Sequence, residues 1–307
     1  MSTKHIVEYI DRETDERCRE QIYGERELDF LYHSRLGRCL RPLLLGYSFS
    51  ALNGLPKRLA RSRARIAEFA ERYQLAVDEA EFPLSDYASL DAFFCRRLKA
   101  CARPWCQDGQ ALCSPADGRV LAYRIDKQCR LAIKGQNVSV AQLLNGKINT
   151  ATTLASEALS ALHGGQALVV RLAPKDYHRF HFPTAGTVAD LGRCPGPLES
   201  VHPIALCAGA PSFLNKRRVV CLHSEVFGPV YLVAVGALTI GTIVHSFTPG
   251  AIERGQEWGY FRFGGSTVVM LWGPQGPNID ADIWRNSHNE LETLVKCGTQ
   301  IAHQHTQ

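Results

Sequence analysis

From Cys113 onward the chain advances in short runs of branched aliphatic residues punctuated by glycine and proline. Gly118-Arg-Val-Leu-Ala-Tyr, Ala167-Leu-Val-Val-Arg-Leu, Arg218-Val-Val-Cys-Leu and Phe261 to Leu271 are the clearest of them. Runs of this kind read as strands, because β-branched side chains fit a pleated sheet and the breakers set the turns. Val230 to Val244 is the most apolar stretch, but it falls short of the ~18–20 residues of a membrane-spanning helix. Its valines, isoleucines and threonines, broken by Gly236 and Gly241, predict two buried strands.

The chain before Arg103-Pro104 has a different period. Between Lys57 and Leu75, the residues Leu59, Ile66, Phe69, Ala70 and Tyr73 fall on one face at about 100° per residue, which predicts a helix. Leu90 to Leu98, with Phe93 and Phe94, predicts a second helix packed on the core, and Val140 to Leu144 a third. The fold class is therefore α+β: a mainly helical region over 1–105, then a β-rich core over 106–307.

Charge is unevenly placed. Residues 11–29 are acidic, whereas Leu31 to Ala67 holds no Asp or Glu and carries Arg35, Arg38, Arg41, Lys57, Arg58, Arg61, Arg63 and Arg65 among Leu43, Leu44, Leu45, Tyr47 and Phe49. This pattern suits a basic amphipathic surface on an anionic membrane, and equally a helix packed on the core with a solvated basic edge. The net charge of +5 is too mild for a nucleic-acid binder. The 11 cysteines include no C-x-x-C, so no zinc or other metal site is expected. The N-terminus is too acidic and polar for a secretory signal, and a reducing cytoplasm is the simplest compartment.

Four pieces carry chemistry. Gly264-Gly265-Ser266-Thr267 lies between strand-like flanks. It reads as a bulged strand, or as a self-processing site in which glycine permits the strained geometry that brings a serine hydroxyl onto the preceding carbonyl. Such an attack turns the amide into an ester, and β-elimination followed by hydrolysis leaves a pyruvoyl group and ammonia. Asp176-Tyr-His178-Arg-Phe-His181-Phe-Pro holds two histidines three apart. They share a face in a turn or helix and point oppositely in a strand; Pro174 and Pro183 favour a turn. A histidine here suits a general base better than a metal pair, for which no third ligand is evident. Asp117-Gly118 reads as a turn, or as a carboxylate orienting a histidine. Glu199-Ser-Val-His202-Pro, after Pro195-Gly-Pro, reads by itself as a loop.

In order and context these pieces resemble the phosphatidylserine decarboxylases. The resemblance is carried by Phe93-Phe94-Cys-Arg-Arg-Leu-Lys, Ser-Pro-Ala-Asp-Gly, Lys134-Gly-Gln, Asp-Tyr-His-Arg-Phe-His-Phe-Pro, Ser-Val-His-Pro, Val235-Gly-Ala-Leu-Thr-Ile-Gly, and Arg254-Gly-Gln-Glu-Trp-Gly ahead of Gly-Gly-Ser-Thr. It covers about Leu31 to Leu271. The Gly-Gly-Ser-Thr form, with Tyr23-Gly24-Glu25, is similar to one branch of that family.

The resemblance implies a β-rich, barrel- or sandwich-like catalytic core beside membrane-associating helices. It implies that Asp117 orients His181, that His181 deprotonates Ser266, and that the chain cuts itself into 1–265 and 266–307. Ser266 then becomes the pyruvoyl cofactor, and His178 assists decarboxylation by delivering a proton to the α-carbon. The implied reaction converts phosphatidylserine to phosphatidylethanolamine and CO2, with no external cofactor. The implied setting is peripheral, on the cytoplasmic face of an anionic phospholipid membrane, and the implied assembly a homodimer. A soluble amino-acid substrate, a non-catalytic lipid-binding role and a serine hydrolase are the competing readings. Where the family has an aromatic residue and Ser-Val-Asn-Pro, this chain has Glu199 and Ser-Val-His202-Pro, placing a charge and a titratable ring in a loop expected near the substrate.

Overall fold

The computed structural model describes residues 7–20, 25–44, 54–134, 136–144, 159–238, 242–263 and 266–304. Gly264 and Gly265 of the expected cut site, Tyr23 and Gly24 of the branch motif, Leu45, Tyr47 and Phe49 of the basic segment, Gly135, and 239–241 lie outside them.

A ten-stranded sheet organises the molecule. In spatial order its strands are Gly250–Ile252, Gly186–Cys194, Arg217–Ser224, Gly228–Gly236, Ser266–Trp272, Gln166–Leu172, Gly118–Arg124, Glu292–Val295, Glu8–Asp11 and Glu16–Arg19. Neighbours are antiparallel except Glu8–Asp11 beside Glu292–Val295. The first and last strands each pair on one side only, so among the described residues the sheet is open and no barrel closes.

Both faces of the central strands are buried, which is why these strands read as near-continuous apolar runs. One face presents Val120, Leu168, Val170, Val220, Leu232, Val268, Met270 and Trp272. The other presents Val169, Val219, Val233, Val235, Val269 and Leu271 to Leu131, Ile133 and the short helix Val140–Leu144. The first face is covered in part by a second sheet of three strands, Ile243–His245, Glu257–Phe261 and Arg179–His181, whose Phe180, Trp258 and Phe261 join the same core. Gly118 lets two central strands approach: a Cβ there would lie 2.7 Å from the Arg171 carbonyl oxygen.

The N-terminal region is less uniformly helical than its sequence period suggests. It opens on two strands, Glu8–Asp11 and Glu16–Arg19, which extend the core sheet before the helices Glu25–His33 and Arg35–Leu44 begin. The helix expected from Lys57 to Leu75 is three pieces: a helical stretch that ends at Arg58, a 3-10 segment, Ala60–Arg65, and the α-helix Ile66–Arg72. Ser62 contributes to the break, since its buried hydroxyl donates to the Lys57 and Leu59 carbonyls and accepts from the Leu90 amide. Ile66, Phe69, Ala70 and Tyr73 are buried as the period requires, while Leu59 is exposed. The second expected helix stops at Phe94, and Leu98 instead bridges to Ala80. Among the described residues no helix is long and apolar enough to cross a membrane.

Candidate active site

Phe261 to Leu271 is not one bulged strand. Glu257–Phe261 belongs to the three-stranded sheet and Ser266–Trp272 to the ten-stranded one, so two different sheets hold the two halves of this run. Ser266 opens its strand between Gly236 and Leu172 and is fully buried. It shares parity with Val268, Met270 and Trp272, so its side chain points toward the layer that holds the three-stranded sheet.

In that layer His178 meets it. The Nδ1 of His178 lies 3.3 Å from the Ser266 Oγ, and its Nε2 lies 3.1 Å from the Ala173 carbonyl oxygen. A carbonyl can only accept, so Nε2 carries the hydrogen and Nδ1 is left to accept from the serine hydroxyl. The Phe94 ring stacks on the imidazole at 3.9 Å between centroids. Burial lowers the His178 pKa to about 3, and Arg96 pushes the same way, so the ring is neutral.

His181 ends the strand Arg179–His181, which His178 immediately precedes, and the extended chain carries the two rings to different partners. The turn suggested by the flanking prolines would have kept them together. His181 Nδ1 is 3.5 Å from the Cys297 Sγ, and the Tyr177 and Trp105 rings flank it. Burial lowers its pKa to about 4, with Glu257 and Asp117 opposing.

Asp117 is clamped by Arg103. The guanidinium Nε donates to both carboxylate oxygens, at 2.8 and 3.0 Å, and Nη2 donates at 2.6 Å. The Cys297 amide donates to Asp117 Oδ1 at 2.8 Å, so Asp117 and His181 both meet Cys297. Among the described residues no hydrogen bond joins Asp117 to His181, or His181 to Ser266.

Glu199 and His202 sit in the neighbouring loop, and both are engaged. The Tyr32 hydroxyl donates to Glu199 Oε2 at 2.8 Å, and Arg41 Nε lies 3.6 Å from Oε1. The charge of Glu199 is therefore matched by the N-terminal helices. His202 caps the helix Pro203–Cys207, its Nδ1 accepting from the Ile204 amide at 3.3 Å. Burial lowers its pKa to about 4, with Arg171 contributing, so its charge is constant across neutral pH.

Three supporting side chains carry no motif signal. Asn215, fully buried, donates to the Glu199 and Gly236 carbonyls at 2.8 Å each, tying the loop to the residue paired with Ser266. Asp176 accepts from the Ala173 amide at 2.6 Å and from buried Arg119, holding the turn whose carbonyl anchors His178. Arg103 is the clamp on Asp117. Asp176 stood inside a recognised stretch, but its partner is 57 residues away, and no local pattern names it.

Comparison with known proteins identifies the family. A family model described as phosphatidylserine decarboxylase matches residues 90–303. A Chlamydia trachomatis protein named phosphatidylserine decarboxylase proenzyme is 38% identical over 297 residues, 95% of this chain and 96% of the relative. Proteins of the same name from Fusobacterium nucleatum and Clostridium botulinum are 33% and 35% identical, over 97% and 96% of this chain and 98% and 99% of their own length. The chain belongs to the phosphatidylserine decarboxylase family.

Proposed function

We propose that the chain is a proenzyme that cuts itself between Gly265 and Ser266 and then decarboxylates phosphatidylserine to phosphatidylethanolamine, using a pyruvoyl group made from Ser266. The observation that carries this reading is the buried Ser266 hydroxyl on the free lone pair of a neutral histidine. The relatives' printed name, a decarboxylase proenzyme, supports both halves of it.

The residues fit such a group. Ser266 is held by strand pairing on both sides, so a break before it leaves the new end in place. Self-cleavage begins as Ser266 Oγ attacks the carbonyl carbon of residue 265 and its proton passes to a histidine, exchanging the amide for an ester. Elimination of the ester and hydrolysis of the dehydroalanine release ammonia and leave the ketone at position 266. That group supplies a carbonyl that condenses with the substrate amine and draws off the electron pair as CO2 leaves. His178, with its bare Nδ1 against the Ser266 side chain, is in place to relay a proton taken up from water to the substrate α-carbon.

Two observations bear on which histidine takes the serine proton. The Ser266 contact favours His178. The field of Asp117, which raises the proton affinity of His181, favours His181, as the resemblance implies. An uncut His181→Ala chain assigns the step to His181, and a cut one assigns it to His178.

The setting we propose is an anionic membrane surface on the cytoplasmic side, contacted by the region 1–105 and leaving 106–307 as the decarboxylase core. Leu36, Leu40 and Leu43 form one exposed stripe on the helix Arg35–Leu44, and Phe30, Leu55 and Leu59 are also exposed in the arginine-rich region.

Intact-mass spectrometry tests the central claim. The purified protein should give two fragments split before Ser266, the smaller without a free amino group, and Ser266→Ala only the full chain. An uncut, active wild type would sink it. Assaying phosphatidylserine beside free amino acids separates the lipid substrate from a soluble one.

A further inference from the structure

Among the described residues Arg96 is a buried cation with no carboxylate in salt-bridge contact. Its residue is 6% exposed, and its Nε and Nη1 are buried with no hydrogen-bond partner. The guanidinium lies over the Phe93 ring at 5.0 Å, a contact that replaces only part of the hydration it has lost. The carboxylates that act on it are committed elsewhere: Asp117 to Arg103 at 2.6 Å, and Glu79 to Arg103 at 3.0 Å.

Its place is beside the reaction centre. Arg96 ends the turn after the helix Leu90–Phe94, and Phe94 stacks on His178. Arg179, the residue after His178, donates to the Cys95 carbonyl at 2.9 Å and the Arg96 carbonyl at 3.3 Å. Phe261 joins the same turn to His178: its carbonyl accepts from the Cys95 thiol at 3.5 Å, and its amide donates to the His178 carbonyl at 2.9 Å. The turn that carries Arg96 is therefore built onto the histidine that touches Ser266.

A chain does not leave a guanidinium buried and unpaired without cost, and the missing partner is an anion with oxygen acceptors. The lipid head group has two, a carboxylate and a phosphodiester. A cation gripping the carboxylate would stabilise the very charge that decarboxylation removes, and so slow the step. The phosphodiester keeps its charge throughout, so gripping it costs nothing in the transition state.

We propose that Arg96 is the phosphate-binding residue of this site, its planar fork taking the phosphodiester of the substrate head group. The proposal rests on the reading that the Ser266 centre acts on a phospholipid. It places Arg96 in substrate binding and outside the proton transfers.

The test uses the cut enzyme and its Arg96→Gln, Arg96→Lys and Arg96→Met variants. The probe is glycerophosphoethanolamine, which has the phosphodiester and no carboxylate, with binding read by calorimetry. Arg96→Gln should weaken it by about tenfold or more, the worth of a charged hydrogen bond, and raise KM for phosphatidylserine in mixed micelles alike. The kcat should stay within about threefold, and Arg96→Lys should fall between. Arg96→Met, which removes an unpaired buried charge, should melt at or above the wild-type temperature.

A probe affinity unchanged by Arg96→Gln overturns the proposal, as does a wild type that does not bind the probe. A fall in kcat with KM unmoved, uncut variants, or a lower melting temperature in Arg96→Met would overturn it too, by assigning Arg96 to chemistry or to the fold. A wild type that binds the probe but releases no CO2 from phosphatidylserine fails the functional reading and leaves the phosphate site standing.

Discussion

At the scale of single residues, His178 shows how burial sets chemistry. A histidine at its ordinary pKa of about 6.5 would be partly protonated near neutrality, and that fraction could not accept a proton. Within the apolar layer under Phe94 it is neutral, and the Ala173 carbonyl fixes which nitrogen is free. Replacing it with alanine should lower decarboxylation by at least about a hundredfold, measured as CO2 release by chains that have been cut. Retained turnover would remove His178 from the chemistry. The same burial has a consequence for stability. The unfolded chain protonates this ring near pH 6.5 and the folded chain only near 3, so between those values the unfolded state binds more protons. Stability is full above about pH 6.5 and falls as pH drops, by up to about 1.4 kcal/mol per pH unit for His178, with His181 and His202 adding in the same direction. Thermal melts should therefore run lower at pH 5 than at pH 7.5, and equal melting temperatures would mean that these rings are solvated. The residue types of the site were legible in the sequence. What it did not disclose was that Arg103 holds Asp117, since an arginine before a proline carries no signal of its partner.

At the scale of elements, the helix Arg35–Leu44 is amphipathic with its apolar stripe turned outward. Leu36, Leu40 and Leu43 are 61%, 37% and 73% exposed, and burying such a stripe is what stabilises most helices in folded proteins. Pro42 inside the helix and the lack of acidic residues in its first turn weaken it further, so it depends on packing against the neighbouring helix Glu25–His33. The wild-type protein should float with anionic vesicles and lose binding at high salt, whereas Leu36→Ser, Leu40→Ser and Leu43→Ser together should abolish it. Salt-insensitive binding, or a triple variant that still floats, would move the contact elsewhere. The tie between this region and the reaction site is direct, because Tyr32 and Arg41 on these two helices hold Glu199. Periodicity found the buried face Ile66, Phe69, Ala70 and Tyr73 but overstated the helix that carries it. The interruption comes from Ser62 bonding to Leu90, 28 residues away, which no local window contains.

At the scale of the whole molecule, the proposed cut divides a sheet without dividing a core. Residues after 265 supply two strands of the ten: Ser266–Trp272 lies between Gly228–Gly236 and Gln166–Leu172, and Glu292–Val295 between Gly118–Arg124 and Glu8–Asp11. Val268, Met270, Trp272, Ile283, Val295 and Ile301 are buried in one cluster with residues from the larger piece. The two fragments should elute together at the mass of the intact chain under native conditions and separate only in denaturant. Dissociation on cleavage alone would contradict this packing. The sequence by itself determined the strand runs, the helical face, the basic apolar segment and the types of side chain at the reaction centre, because those follow from local period and composition. Only the tertiary structure decided which histidine faces Ser266, since the two residues are 88 apart and meet through the stacking of two sheets. A strand alternates sides at every residue, so the side on which His178 or His181 falls depends on how the sheets are paired, and pairing is a property of the whole fold.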